Sequence, residues 1–580
     1  MNARPGGRRI ASAAAALVAV CGFQLAPTSR ALAAAPAATV AVSSHDFIVL
    51  SSLDGTSLEA RYIRPMAAGT YPVVFFAHGG GGNVSSEAPR ATALAQQGFV
   101  GVTWSARGHG NSGGLFDFFG AKTVQDSRDV MDWVFSHKVL TAADPQRAAM
   151  TGYSQGGGTT NLVGAADPRL KVLAPGHTFS GLAESLKPNG CIKFSVDVVI
   201  LSAAYLAMGA RTDPNLVSRW TTYLQTGAEI ANPLDGKLPS QEFEARSPRN
   251  YTAQLTQPSM WVQAFDDTLF PVDQAVLMYQ RMPNANNHLY LSWGGHFAPN
   301  PPAYETTYRE TQIQRWMGRW LRGDPNGIDT EPPVTYWYLD VASGQLVRQM
   351  SPSWPPPGVV MSPVMLTPGQ ALSGAGAQGF ANDPVAQFGA NASGMGQTIK
   401  ALPDHTPLDT MITTTAPLTS SVLYAGAAHA DLKWLSSGSP SQVSVKVWDV
   451  APDGAGTLLA RACTTPPGAA GVEQRVQFDL WHDAVMVPAG HHFEVWVQPS
   501  DAPLWEPPPP AVGQVLAGST VTLPLVGGRT LVTVAPRLTT TGSSGMPGTS
   551  RSPRLPWLPA AGLLAATTLL VLARRRRAFP

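Results

Sequence analysis

The feature that most constrains this chain is the hexapeptide Gly152-Tyr153-Ser154-Gln155-Gly156-Gly157. It ends a stretch, Arg147 to Tyr153, that reads as a strand, and a helix is able to begin just after it. Glycines on both sides of a serine permit the sharp, strained turn that pushes the hydroxyl clear of a sheet. The G-x-S-x-G spacing alone is weak, because it arises often by chance. Its surroundings strengthen it. His45 to Leu50, Asp54-Gly55 and Leu58 to Tyr62 read as a hairpin with a D-G turn. Tyr71 to Ala77 is a continuous apolar run, as expected of a strand buried on both faces. A helical stretch around Leu94 and Ala95, a strand at Phe99 to Trp104 and a helix over 122–136 follow. This alternation implies a doubly wound, mostly parallel sheet.

A serine hydroxyl needs a base at neutral pH, and the base needs an orienting acid. In α/β hydrolases these follow the serine in the order acid, then histidine. Met260 to Phe265 reads as a strand ending in Asp266-Asp267-Thr268-Leu269-Phe270, and His288 to Trp293 as the last strand, followed by Gly294-Gly295-His296. Acid and histidine therefore lie in loops at strand carboxyl ends, where parallel sheets place their sites. Of the two acids, Asp267 fits the G-x-x-D-x-L-F pattern of such enzymes, with Ala264 in the glycine's place. Asp266 is then its solvated or capping neighbour. The expected catalytic residues are Ser154, Asp267 and His296.

An oxyanion needs two backbone donors. Ala77-His78-Gly79-Gly80-Gly81-Gly82 follows the first long strand. It assigns one N–H to Gly80, with Gly79 close behind, and the N–H of Gln155 is the other. His78 precedes the glycines and is expected to brace their loop. His109, in the turn Arg107 to Gly113, is read as structural. Asp126, Asp129 and Asp132 lie at helical spacing and read as a solvated face. Residues 177–250 break the alternation and read as a helical cap insertion, with apolar helices at Val198 to Ala210 and Leu216 to Ile230. Tyr304 to Leu321 is an amphipathic helix closing a catalytic domain over 44–323.

After Gly323 the composition changes. Residues 324–412 read as a connecting region, including the proline-rich crossing at Ser351 to Gly358. Over 413–535, strands at Val422 to Tyr424, Ala430 to Trp434, Gln442 to Trp448, Val476 to Leu480 and Phe493 to Val497 argue a β-sandwich jelly-roll domain.

Charge locates the chain. Of 40 basic side chains, four arginines fall in residues 1–33 and four more at Arg574 to Arg577. The remaining 32 face 38 acids, so the body lacks the basic excess of a nucleic-acid binder. Residues 1–33 read as a signal peptide, with arginines, an apolar run and Ala31-Leu32-Ala33 in that order. Residues 536–554 form a linker. The uncharged segment 555–573 spans about 28 Å as a helix, near the roughly 30 Å of a bilayer core. It reads as a transmembrane helix, and 574–580 as a basic tail on the cytoplasmic side. This places the protein outside a bacterial-type cell membrane, anchored by its C-terminal helix. Attachment to the cell wall and release are the alternatives. Cys191 and Cys463 remain after the signal, and their spacing does not decide whether they pair. No Cys/His spacing suggests a metal site, and no cofactor is expected.

The residues quoted above resemble the X-Pro dipeptidyl-peptidase and cocaine-esterase-like (CocE/NonD) serine hydrolases. The resemblance covers most of 44–535 and includes Gly152 to Gly157, Asp267 to Phe270 and Gly294 to His296. It also includes Ser185 to Gly190, Ala416 to Thr419, Trp448 to Gly454 and Val487 to His491. It implies a capped α/β hydrolase joined to a C-terminal jelly roll. Two positions depart from the family pattern. Ser105 stands where many members carry aspartate, and the oxyanion loop is glycine-only where esterases often place a tyrosine. The resemblance implies cleavage of a small ester or peptide substrate through an acyl-enzyme. A dipeptidase must also recognise a free ammonium, for which Glu184 in the cap is a candidate. The reading from another class is a catalytically inactive surface protein that binds through its jelly roll.

Overall fold

The computed structural model describes residues 39–193 and 209–534, apart from 297, 299, 369–371, 374–394, 397, 400–401, 403–409, 439–440, 500, 502–503 and 506–510. The expected signal peptide, the linker, the 555–573 helix and the basic tail lie outside the described residues. So does nearly all of the apolar cap helix read at 198–210. Among the described residues, no helix is long and apolar enough to cross a membrane.

A hairpin of β1 (Val42–Leu50) and β2 (Ser57–Pro65) opens the chain, with Leu50 opposite Ser57. Then come β3 (Tyr71–Ala77), β4 (Val100–Trp104), β5 (Ala143–Tyr153), β6 (Leu170–Gly176), β7 (Met260–Ala264) and β8 (His288–Ser292). Pairings run β1–β2–β4–β3–β5–β6–β7–β8, antiparallel as far as β4 and parallel beyond it. The apolar runs of β3 and β4 are buried almost throughout because helices cover both faces. On one face α2 (Ala121–Ser136) packs on α3 (Gln155–Ala166). On the other, α1 (Ala88–Ala95) meets the closing helix, where Arg90 bonds Glu310 at 3.0 Å. The chain leaves β3 for β4 on one side and returns to β5 on the other. The carboxyl ends of β3 and β5 therefore form the switch point, with Ala77 opposite Gly152.

The acids of α2 correct one expectation. Asp126 and Asp129 are buried, and only Asp132 is solvated. Asp126 takes two bonds from the buried Arg107 guanidinium, at 2.6 and 2.8 Å. Asp129 accepts the backbone N–H and the hydroxyl of Ser52 at 2.7 and 2.9 Å. Helical spacing put the acids on one face, but that face meets the β1–β2 turn. Their partners are distant in sequence and invisible to periodicity.

In the cap, α4 (Leu182–Leu186), α5 (Pro214–Thr226) and α6 (Pro239–Ala245) bury an aromatic cluster that includes Phe116, Phe118, Phe179, Trp220, Phe243 and Phe270. Buried Glu242 ties the cap together by accepting from Arg219, Trp220 and Asn232. Beyond it, α7 (Asp273–Arg281) lies between β7 and β8, and α8 (Ala303–Arg322) closes the sheet.

The stretch 324–412 does more than connect. β9 (Val334–Asp340) pairs parallel with β8 and also with the later strand Asp483–Val487. β10 (Gln345–Ser351) pairs with β9, and β11 (Val359–Met365) with Thr520–Val526. Hydrogen bonding is thus continuous from the catalytic sheet into the β domain. A second, antiparallel sheet of six strands centres on Val443–Val450 and Gly456–Thr464, both buried at every residue. One side of it is covered by Trp448, Trp481, Trp496 and Trp505 together with a disulfide between Cys191 and Cys463. The expected α/β hydrolase with a helical cap and a C-terminal β-sandwich is the architecture observed.

Candidate active site

Ser154 sits between β5 and α3 with φ 58° and ψ −120°, a region that side-chain-bearing residues rarely occupy. Close packing holds it there. A Cβ on Gly156 would run into the carbonyl of Ala77 at the end of β3, so the turn tolerates only glycine at that position. The Ser154 N–H donates to the Gly176 carbonyl at 2.9 Å. Beneath it, the Tyr153 hydroxyl donates to Glu310 at 3.0 Å, and the Arg90 guanidinium lies 4.7 Å from the Tyr153 ring. The elbow is thus fixed to α1 and α8.

The structure brings the expected acid and base together. His296 Nδ1 lies 2.8 Å from Asp267 Oδ2, and both side chains are buried. Oδ1 of Asp267 accepts the N–H groups of Leu269 and Phe270, each at 2.9 Å. Gln263 Nε2 approaches Oδ2 at 3.3 Å. Burial opposes ionisation of this carboxyl, but chiefly the His296 ring, and with it the Phe270 N–H, hold it below the usual aspartate value. Asp266 does a different job. Its Oδ1 accepts the N–H groups of Gly294 and Gly295 at 2.9 and 3.1 Å, which shapes the turn before His296. It is the capping neighbour and is not solvated. Burial pushes it up to about 7 against those two bonds, with the Asp267 charge adding to the rise.

His78 braces the loop after β3. Its Nε2 accepts the Ala106 N–H at 2.9 Å, so Nδ1 carries the proton it donates to Gly79 O at 2.7 Å. Burial lowers its pKa to about 4, so it is neutral near pH 7. His109 is likewise buried, with Nδ1 3.1 Å from Arg107 O. Gln155 heads α3, where first-turn N–H groups have no partner within the helix. Of the four glycines after His78, Gly79 abuts the elbow. A Cβ there would lie 3.8 Å from that of Ser154, and Gly80 is the next residue on.

One site residue escaped the sequence reading. His177 follows β6 with φ 45°, is buried, and places Nδ1 3.7 Å from Asp267 Oδ2. Burial lowers it to about 3, leaving a neutral ring beside the acid. The signal was available, since the strand-like stretch Leu170 to Ala174, apolar but for Lys171, is followed by Gly176-His177 as other strands are followed by their site residues. His177, Asp267 and His296 bring three possible metal-ligand atoms within 4.8 Å of one another. The oxygens of Asp267 are already engaged by N–H donors, which suits proton transfer better than coordination.

A strained serine after a parallel strand, with a buried Asp–His pair in later loops of the same sheet, defines a serine hydrolase of the α/β class. The chain matches the family model of X-Pro dipeptidyl-peptidase (S15 family) over residues 54–298. It matches that of the X-Pro dipeptidyl-peptidase C-terminal non-catalytic domain over 326–540. It belongs to this family of serine hydrolases. No curated protein matches the chain. Among solved structures, an α-amino acid ester hydrolase is similar at 17% identity and TM-score 0.65, over 87% of this chain and 100% of that one. An aminopeptidase from a marine sediment Thaumarchaeota archaeon is similar at 14% identity and TM-score 0.60, again over 87% and 100%. A CocE/NonD family hydrolase from Staphylococcus aureus is similar at 13% identity and TM-score 0.61, over 84% and 94%. At these identities the structural likeness concerns the fold.

Proposed function

We propose that Ser154, His296 and Asp267 act as nucleophile, general base and orienting acid in acyl transfer from a small ester or amide. The carrying observation is the 2.8 Å contact between His296 Nδ1 and Asp267 Oδ2 in the same sheet as the strained Ser154. Ser154 Oγ attacks the carbonyl carbon while His296 takes its proton. The tetrahedral oxyanion is met by the N–H groups of Gln155 and Gly80. Collapse expels the alcohol or amine, which receives that proton from His296. Water then repeats the sequence on the acyl-enzyme and frees the acid. Asp267 fixes the Nδ1–H tautomer and stabilises the imidazolium.

Ester and amide substrates are both compatible with this site. Glu184 does not favour a dipeptidase, because its carboxylate is engaged by Arg249, which also bonds Glu244 at 2.9 Å. We place the enzyme outside the cell. The Cys191–Cys463 disulfide supports export, since such bonds persist in oxidising compartments. The uncharged stretch 555–573 before four arginines supports retention at the membrane. The test is labelling by a fluorophosphonate probe, then hydrolysis of short p-nitrophenyl esters against X-Pro-coupled amides. Labelling of the native chain and not of Ser154→Ala is expected. A native chain that stays unlabelled would favour the binding-protein alternative.

A further inference from the structure

Lys193 is one of several charged residues with almost no exposed surface. It is fully buried, in the segment where the cap meets the β domain. A buried ammonium has three N–H donors and is costly unless each meets an acceptor. Its Nζ donates to the carbonyls of Ser185 at 2.5 Å, Thr268 at 2.7 Å and Leu269 at 3.2 Å, and lies 5.5 Å from the Trp481 ring. Ser185 belongs to α4 of the cap and Trp481 to the β domain. Thr268 and Leu269 directly follow Asp267.

The last two bonds matter most. The Thr268 carbonyl and the Leu269 N–H belong to one peptide unit, and the Leu269 carbonyl and the Phe270 N–H to the next. Lys193 binds the oxygen end of both units, and the nitrogen ends of both donate to Oδ1 of Asp267. Two aligned peptide dipoles therefore run from a cation to the carboxylate. Each bond in such a chain polarises the next, and the cation fixes the planes of both peptides.

We propose that Lys193 is a positioning residue for the acid of the triad, acting through the 268–269 and 269–270 peptide units to aim Asp267 at His296. The segment that carries it is pinned at two points. Cys191 is joined to Cys463, and the Thr465 N–H donates to Asn189 O at 2.9 Å. The non-catalytic domain thereby helps to set the catalytic carboxylate. This inference rests on the triad reading above.

The experiment uses the full chain and p-nitrophenyl butyrate. Lys193→Met keeps the length of the side chain and removes its donors. It is expected to lower kcat about ten- to a hundredfold with KM little changed, as a slightly misplaced catalytic group does. The downfield proton resonance of the His296–Asp267 bond should move upfield or broaden, a change that a purely structural role does not produce. Native kcat, or a lowered melting temperature with the resonance unmoved, overturns the proposal. Should Lys193→Met fail to fold, Cys191→Ala/Cys463→Ala loosens the same segment with the lysine intact. It should show a smaller loss of kcat and the same displacement of the resonance, and native values of both overturn the proposal. Fluorophosphonate labelling separates the two readings. Labelling of Ser154→Ala sinks the triad. A silent Ser154→Ala beside a Lys193→Met chain that labels at the native rate leaves the triad standing and removes the role of Lys193.

Discussion

The turn at Ser154 and the loop at Asp267 belong to the same sheet but are built differently. The backbone of the elbow is fixed by its own glycines and the adjacent strand ends, through close contact with Ala77 and a bond to the Gly176 carbonyl, while Tyr153 ties it to α1 and α8. The acid loop has local bonds too, from Gln263 and its own Leu269 and Phe270 N–H groups, but it is also braced from outside by Lys193 of the cap, with the β domain behind it. Local construction leaves a motif. Long-range construction leaves only single residues whose partners are far away in the chain.

Deleting the two key groups gives the largest expected effects. Ser154→Ala should abolish fluorophosphonate labelling and reduce ester hydrolysis by about 10⁴-fold or more, since triad members act as a unit. Asp267→Asn keeps the shape of the side chain but favours the wrong tautomer of His296. It should lower kcat by roughly 10³- to 10⁴-fold, measured on the same ester. A much smaller loss in Asp267→Asn, with Asp266→Asn inactive, would reverse the assignment of the two acids.

The legibility of the site followed this division. Strand–turn–helix order and glycine spacing located Ser154, and the strand ends located Asp267 and His296. The choice of Asp267 over Asp266 came from alignment to a pattern, and the 2.8 Å contact to His296 agrees with it. Asp126 and Asp129 were misread as solvated because Arg107 and Ser52, their partners, lie on two other turns, after β4 and between β1 and β2. The burial of Lys193 and the pairing of Cys191 with Cys463 had no local signature. Both depend on the cap meeting a strand 272 residues further on. Strands such as Gly456–Thr464 also went unread, since a strand buried on both sides shows no alternation.

External support should make the catalytic loop sensitive to events in the β domain. Cys191→Ala/Cys463→Ala is expected to cost about 2–5 kcal/mol of stability, seen as a lower midpoint in urea, because the bridge closes a very long loop. If the elbow is locally built, the variant that remains folded should still label at Ser154. Loss of labelling with secondary structure intact would show that the elbow too depends on the distant domain.

Asp266 adds a pH dependence. Its folded pKa, about 7, lies above that of an unfolded aspartate, so the folded state binds the extra proton. Stability from this group is therefore present at low pH and is lost as pH rises from about 4 through 7, by at most about 4 kcal/mol. Denaturant midpoints for the native chain and Asp266→Asn should separate across that window. The asparagine keeps an oxygen for the N–H groups of Gly294 and Gly295 and has no proton to lose. Parallel curves would mean that Asp266 ionises without penalty in the folded chain.

His177 gives the smallest expected effect and the sharpest test of the contrast. It belongs to the elbow's side of the site, at the end of β6, yet its ring faces Asp267. At 3.7 Å its Nδ1 is beyond ordinary hydrogen-bond length from Oδ2, and burial keeps it neutral. Asp267 already receives two backbone N–H groups and the His296 ring. A neutral ring beyond bonding distance adds little to a carboxylate so well supplied, so His177→Gln should change kcat/KM by less than about threefold. A loss near a hundredfold would mean that the acid is also held from the elbow side, and the division between a self-built turn and an externally braced loop would fail.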